Sequence, residues 1–105
     1  MTYVFEIATT NYDDDKLLLR KSLGKLQNLC KISDGYLLED PVSKFGWTFF
    51  QMLMKTHLHL AIDEEFYDMI KKSKGSKPEE KFTDFLTKYF EKNDCKIRLK
   101  LLEIN

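Results

Sequence analysis

The residues whose side chains could most readily take part in metal binding or catalysis are two histidines, His57 and His59. A single leucine separates them. Imidazole nitrogens bind divalent metals and transfer protons near neutral pH. Residues two apart on a β-strand project from the same face, so this pair would lie side by side, with Glu64 and Glu65 following closely. No third histidine or cysteine stands near them in sequence. We predict that the pair faces solvent or a partner and holds no metal.

A second candidate is the carboxylate run Asp13, Asp14 and Asp15, which could hold Mg²⁺ for phosphoryl chemistry. Leucines at helical spacing follow it, and carboxylates stabilise the positive end of a helix dipole, so a helix start explains the run. The four glycines stand singly and form no phosphate-binding loop, and no serine or cysteine lies in a nucleophile motif. We predict no catalytic residue and no cofactor, and therefore no enzyme.

Basic residues concentrate late in the chain, in the loop that holds Lys71, Lys72, Lys74 and Lys77 and on a last strand with Lys96, Arg98 and Lys100. They could contact an acidic protein surface or phosphates, or protect an exposed strand from aggregation. Because 17 basic residues balance 17 acidic ones, no global field attracts nucleic acid or an anionic membrane. Binding to nucleic acid is therefore the less favoured interpretation, and no membrane partner is expected.

The chain is rich in aromatic residues, with 8 Phe, 5 Tyr and 1 Trp. Either these rings fill the core, or some lie partly at the surface, where amphipathic rings favour protein interfaces. The residues that we expect to be partly exposed in the second case are Tyr12, Tyr36, Phe45, Trp47 and Tyr67.

The elements that position these residues follow from hydrophobic periodicity. Apolar residues alternate at 3 to 9, 56 to 62 and 96 to 101, which predicts strands, and a further short strand is expected at 36 to 39. Helical spacing predicts helices from Asp13 to about Lys31, from Asp63 to Lys72 and after Pro78, the last with a capping box that begins at Ser76.

Residues 42 to 55 allow two interpretations. Asp40 as N-cap and Pro41 at the first position would open a mostly buried helix, which is the interpretation that we favour. Alternatively, Pro41 to Gly46 is a hairpin loop and a strand begins at Trp47.

The order of elements predicts one small α+β domain of 105 residues, with about four mostly antiparallel strands and two to four helices packed on one face. If residues 47 to 55 form a strand, the order is that of the ferredoxin-like split β-α-β sandwich. No signal peptide or membrane span is recognisable, so a cytoplasmic location is expected, with Cys30 and Cys95 as reduced thiols.

These patterns favour a small non-enzymatic module that binds a protein partner as a stoichiometric inhibitor or regulator, of the immunity, antitoxin or phage anti-defence (anti-CRISPR) type. The alternative is a nucleic-acid-binding or metal-dependent nuclease-like module that uses the late basic residues and the early aspartates. A homodimer is a third interpretation. The residues that we predict to contact the partner are Asp13, Asp14, Asp15, Tyr36, His57, His59, Glu64, Glu65, Lys71, Lys72, Lys74, Lys96, Arg98 and Lys100.

Overall fold

A computed structural model describes residues 1–105 as one five-stranded sheet and four helices. The elements in chain order are β1 (Tyr3–Thr9), α1 (Tyr12–Cys30), β2 (Tyr36–Leu38), β3 (Val42–Lys44), β4 (Trp47–Met54), α2 (Thr56–Glu65), α3 (Tyr67–Lys71), α4 (Pro78–Lys92) and β5 (Arg98–Ile104). No helix is both long enough and apolar enough to span a membrane.

The strands lie in the order β2, β4, β1, β5, and all neighbours are antiparallel. β3 also pairs with β4, so β2 and β3 together form one edge that is interrupted at residues 39 to 41. β1 and β2 therefore run in the same direction on either side of β4, and β4 and β5 do so on either side of β1. These two split β-α-β units give the ferredoxin-like strand order, and the predicted α+β class is confirmed.

The core lies between the helices and one face of the sheet. Phe5 on β1 pairs with Met52 on β4, and Ile7 pairs with Phe50, so these buried side chains share one face. The helices cover that face with a set of buried residues, which includes Leu19, Leu23, Leu26, Leu58, Ile62, Phe82, Leu86 and Phe90. Burial of each such side chain contributes about 1.5 to 3 kcal/mol.

Val42–Lys44 and Trp47–Met54 form a β-hairpin, so the helix that we favoured for residues 42 to 55 is wrong. The alternative interpretation is confirmed for the strand that begins at Trp47, but part of its Pro41 to Gly46 loop is the strand β3. Lys44 pairs with Trp47 across a two-residue turn in which Phe45 has φ 53° and Gly46 has φ 81°. Two positive φ angles define a type I′ turn, whose twist matches that of the flanking strands. Pro41 opens no helix, because it lies in the interruption between β2 and β3.

Residues 56 to 62 were predicted to be a strand, but they belong to α2. Leu58, His59 and Ile62 are buried at helical spacing, whereas Leu60 is 54% exposed. The run that begins at Asp63 does not open a helix either, since α2 ends at Glu65 and the five-residue α3 follows.

The predicted β1, α1, α4 and β5 are confirmed, with small shifts at their ends. β5 begins at Arg98 and continues to Ile104. At the start of α4 the N-cap is Lys77, and the carboxylate of Glu80 accepts hydrogen bonds from the Ser76 hydroxyl and from the backbone N–H groups of Ser76 and Lys77. Cys30 and Cys95 are both free thiols, and burial is the main cause that raises the pKa of Cys95 to about 12.

Candidate protein-binding surface

The carboxylates at the start of α1 have structural roles. Asp15 accepts a hydrogen bond from the Thr9 hydroxyl, and Asp14 accepts one of 3.0 Å from the side-chain amide of Asn11. Asp13 is exposed in the same first turn. These contacts tie β1 to the helix that follows it and agree with the helix-start interpretation.

The two histidines do not share a face, which corrects our prediction. Neighbours two apart on a helix point in nearly opposite directions, because each residue turns the helix by about 100°. His57 is exposed, with its Nε2 3.2 Å from the Ser33 carbonyl oxygen. His59 is 1% exposed and its ring stacks on Tyr3 at 4.2 Å between centroids. His59 is therefore a core residue and no part of a partner-binding surface.

The polar contacts of His59 fix its role further. Its Nε2 lies 3.2 Å from the Met1 carbonyl oxygen, which can only accept, so Nε2 carries a proton. Its Nδ1 has no hydrogen-bond partner and lies 3.9 Å from a carboxylate oxygen of Asp63, which is too far for a hydrogen bond. Burial raises the pKa of Asp63, and His59 opposes that shift. No three His, Cys, Asp or Glu side chains group so that they could hold a metal ion.

The remaining predicted contact residues lie far apart in the fold. Tyr36 is half-buried and packs against the core, but it also lines a surface groove with Leu37, so its contact with a partner stays a prediction. Glu64 and Glu65 are exposed at the end of α2. The late basic residues divide between two sides of the molecule. Lys71, Lys72 and Lys74 lie at the end of α3 in the helical layer, Arg98 and Lys100 lie on the other face of the sheet, and Lys96 is exposed just before β5.

The face of the sheet that points away from the helices has no cover, and its β2, β3 and β4 strands carry apolar side chains there. All buried helix residues except Ser22 and His59 belong to the core cluster on the opposite face. On the open face Val42 pairs with Phe49, and Leu37 pairs with Leu53. Val42 is 64% exposed and Leu37 is 52% exposed. We call the side chains of Leu37, Val42, Trp47, Phe49 and Leu53 the open-face patch.

Phe45 lies just beyond the end of the sheet, two residues before Trp47 of the open-face patch. It lies at the tip of the β3–β4 hairpin and is 94% exposed, so its ring contacts almost nothing in the protein. Its φ of 53° is in the left-handed region, which costs an L-residue about 1 to 2 kcal/mol. The fold thus holds an aromatic ring in water at an unfavourable backbone position.

The polar rim of the patch carries both signs of charge. The Arg98 guanidinium lies 4.6 Å from the Trp47 ring centroid, a cation–π contact that covers one side of the indole. Glu6 lies in register between Gln51 and Lys100 on the same face. Beside it, a shallow groove of about 490 Å³ is lined in part by Glu6, Glu39, Asp40 and Phe49. This surface suits apolar contacts with mixed ion pairs.

From the sequence, Phe45 and Trp47 were predicted only as rings that could be exposed, and the open-face patch was not predicted. The helix interpretation of residues 42 to 55 concealed the alternation that places Trp47, Phe49 and Leu53 on one face and Phe50, Met52 and Met54 on the other. The Phe45–Gly46 step was the available turn signal. Comparisons with protein-family models, with curated proteins and with solved structures found no match to this chain.

Proposed function

We propose that the protein is a non-enzymatic module that binds a protein partner through Phe45 and the open-face patch. It acts as a stoichiometric inhibitor or regulator, of the immunity, antitoxin or phage anti-defence type. The observation that carries this proposal is the position of Phe45, whose ring is 94% exposed on a backbone with positive φ. Unfavourable backbone positions persist where the surrounding structure imposes them, and they cluster at functional sites.

Phe45 has the properties of an interface anchor. Aromatic residues that enter a pocket on the partner account for much of the binding energy in protein complexes. The hairpin turn holds the backbone that carries the ring, so binding has to immobilise only the two side-chain torsions of Phe45. Behind it, Trp47 and Phe49 on the same strand provide further apolar area.

The charges around the patch favour a protein over a nucleic acid. The outward-facing cations Lys44, Arg98 and Lys100 are accompanied by Glu6 and Glu103 on the same face, and Glu39 and Asp40 lie at the edge. Binding of a phosphate backbone requires a clear local excess of cations, which this face lacks. A partner that fits would present an apolar pocket to Phe45 and a basic side chain to the groove at Glu6, Glu39 and Asp40.

The test is a capture experiment with matched variants. Tagged wild-type protein, Phe45→Ala and Tyr67→Ala are each exposed to a lysate of the source cells, and the captured protein is then purified and titrated by calorimetry. Tyr67 is the control because it is an aromatic residue that is 61% exposed on α3, in the helical layer. We expect Tyr67→Ala to keep the affinity and Phe45→Ala to lose about 30-fold, which corresponds to a hot-spot contribution of roughly 2 kcal/mol.

Two results would contradict the proposal. One is a captured protein that binds the wild type and Phe45→Ala equally well. The other is a nuclease-sensitive complex, with steeply salt-dependent binding of oligonucleotides, which would support the nucleic-acid alternative instead. Light scattering of the purified protein tests the homodimer, because a dimeric mass that Phe45→Ala reduces to a monomer would identify a second copy as the partner.

A further inference from the structure

A groove in the helical layer, between α3 and α4, has an apolar floor and a cationic rim. One stripe of α4 contributes Phe85, Lys88, Tyr89 and Lys92, which follow each other at the spacing of one helix face. The opposite wall is formed by Met69, Lys72 and Ser73, and the groove has a volume of about 290 Å³. It lies on the other side of the sheet from the open-face patch.

The floor of the groove is held in place by aromatic packing. Phe85 is buried, and its ring lies 5.1 Å from that of Phe66 and 6.1 Å from that of Tyr89. Met69 is exposed beside these rings, although a thioether side chain would be expected to pack in the core. The groove therefore offers a preformed site for one apolar side chain, with a flexible methionine at its edge.

The rim carries positive charge that the protein does not neutralise. Lys88 contacts Asp84 at 2.9 Å, but Lys72 and Lys92 take part in no ion pair. Two carboxylates of α4 are already engaged, since Asp84 also accepts the backbone N–H of Lys74 and Glu80 caps the start of the helix. The amines of Lys72 and Lys92 are thus available to an external anion.

We propose that this groove binds an acidic peptide segment of a protein partner. An apolar side chain of the segment packs against Met69, Phe85 and Tyr89, while flanking carboxylates contact Lys72 and Lys92. These two lysines lie on opposite walls of the groove, so their amines can reach carboxylates on both sides of the apolar residue. This site is independent of Phe45 and adds a second contact surface to the proposed function.

Several features select an acidic peptide over other anions. The groove contains lysines and no arginine, and lysine lacks the planar fork that recognises phosphates in a bidentate manner. Its floor is apolar along the α4 stripe, which suits a side chain such as phenylalanine or leucine. A nucleic acid would need a path of cations that continues beyond the groove, and Asp84 limits that path on one side.

The test uses a synthetic peptide in which a phenylalanine is flanked on each side by a pair of aspartates. Amide NMR spectra of the labelled protein report where the peptide binds, and the shifts against peptide concentration give Kd. Substitution of both Lys72→Glu and Lys92→Glu should weaken binding by about tenfold, because exposed ion pairs each contribute a fraction of a kcal/mol and charge reversal adds repulsion. Lys44→Glu, on the opposite face, is the matched control and should leave Kd unchanged.

Variants of the peptide separate the two components of binding. Asparagine in place of the aspartates should weaken binding and remove its salt dependence, and alanine in place of the phenylalanine should weaken it at every salt concentration. Shift changes confined to the open face, or equal weakening by Lys44→Glu, would overturn the proposal. A single-stranded oligonucleotide that competes as well as the peptide does would also overturn it, since the groove would then be a general polyanion surface.

Discussion

Replacement of Phe45 by asparagine should stabilise the fold and weaken partner binding at the same time. A type I′ turn prefers Asn-Gly, and asparagine tolerates the left-handed region far better than phenylalanine does. Relief of the backbone cost at φ 53° should raise the free energy of unfolding by about 1 kcal/mol. Little hydrophobic stabilisation is lost, because the ring is 94% exposed in the folded protein. In a chain of this size, 1 kcal/mol raises Tm by roughly 4 to 8 °C.

The assay is chemical denaturation followed by circular dichroism, with Phe45→Ala as the control. Alanine removes the ring but keeps the Cβ that makes the left-handed region unfavourable, so its stability should stay within about 0.5 kcal/mol of the wild type. Both variants should lose partner affinity to a similar extent. The reasoning is refuted if Phe45→Asn unfolds at a lower denaturant concentration than the wild type, because the ring would then contribute to the fold itself.

Three further predictions concern stability. His59→Ala should lower the unfolding free energy by roughly 2 to 4 kcal/mol, since it removes a buried, stacked and hydrogen-bonded ring. The control His57→Ala should change the unfolding free energy by less than about 0.5 kcal/mol. Equal effects of the two substitutions in urea titrations would contradict the assignment of residues 56 to 62 to a helix. Gly35→Ala places a Cβ 2.6 Å from the Leu58 Cβ and should cost about 1 to 3 kcal/mol. Its control, Gly24→Ala, meets nothing within 4 Å and should gain up to about 1 kcal/mol; a costly Gly24→Ala would argue against this α1 packing. The hydrogen bond from Lys88, followed by that from the Lys74 backbone, lowers the pKa of Asp84 below 3.8. A carboxylate with a depressed folded pKa stabilises the protein above its unfolded pKa, and that contribution is lost as pH falls through the folded value. Asp84→Asn should therefore flatten the acid limb of a stability-against-pH curve, and an unchanged limb would show that the ion pair contributes nothing.

The sequence allowed the elements with one clear period to be predicted. β1 alternates approximately, β5 alternates from Arg98 to Leu101, and α4 repeats aromatic residues at helical spacing from Phe82 to Phe90 after Pro78, so each pattern favours one structure. The segment from Thr56 to Ile62 is different, because Leu58 and Ile62 satisfy both the strand and the helix spacing. Only burial decides between them, and the exposure of Leu60 is a tertiary property that no local pattern encodes.

The candidate surfaces were harder to predict than the fold. The open-face patch combines residues from β2, β3 and β4, whose pairing depends on a turn at Phe45–Gly46 without the usual Asn-Gly signal. The late lysines looked like one basic patch, yet the sheet lies between Lys72 and Lys100. Charge counts along a chain cannot show such a separation, since it depends on which face of the sheet each element covers.

The position of β1 in the middle of the sheet has a consequence for biosynthesis. Ile7 pairs with Phe50 on one side and with Leu99 on the other, so its second partner is made about 90 residues later. At roughly 5 to 20 residues per second, translation leaves the strand without β5 for about 5 to 20 s. During that interval the hydrogen-bonding edge and apolar side chains of β1 are open to other nascent chains. We expect the yield of folded protein to depend on chaperone supply and elongation speed, and nonsense mutations that remove β5 to give aggregates.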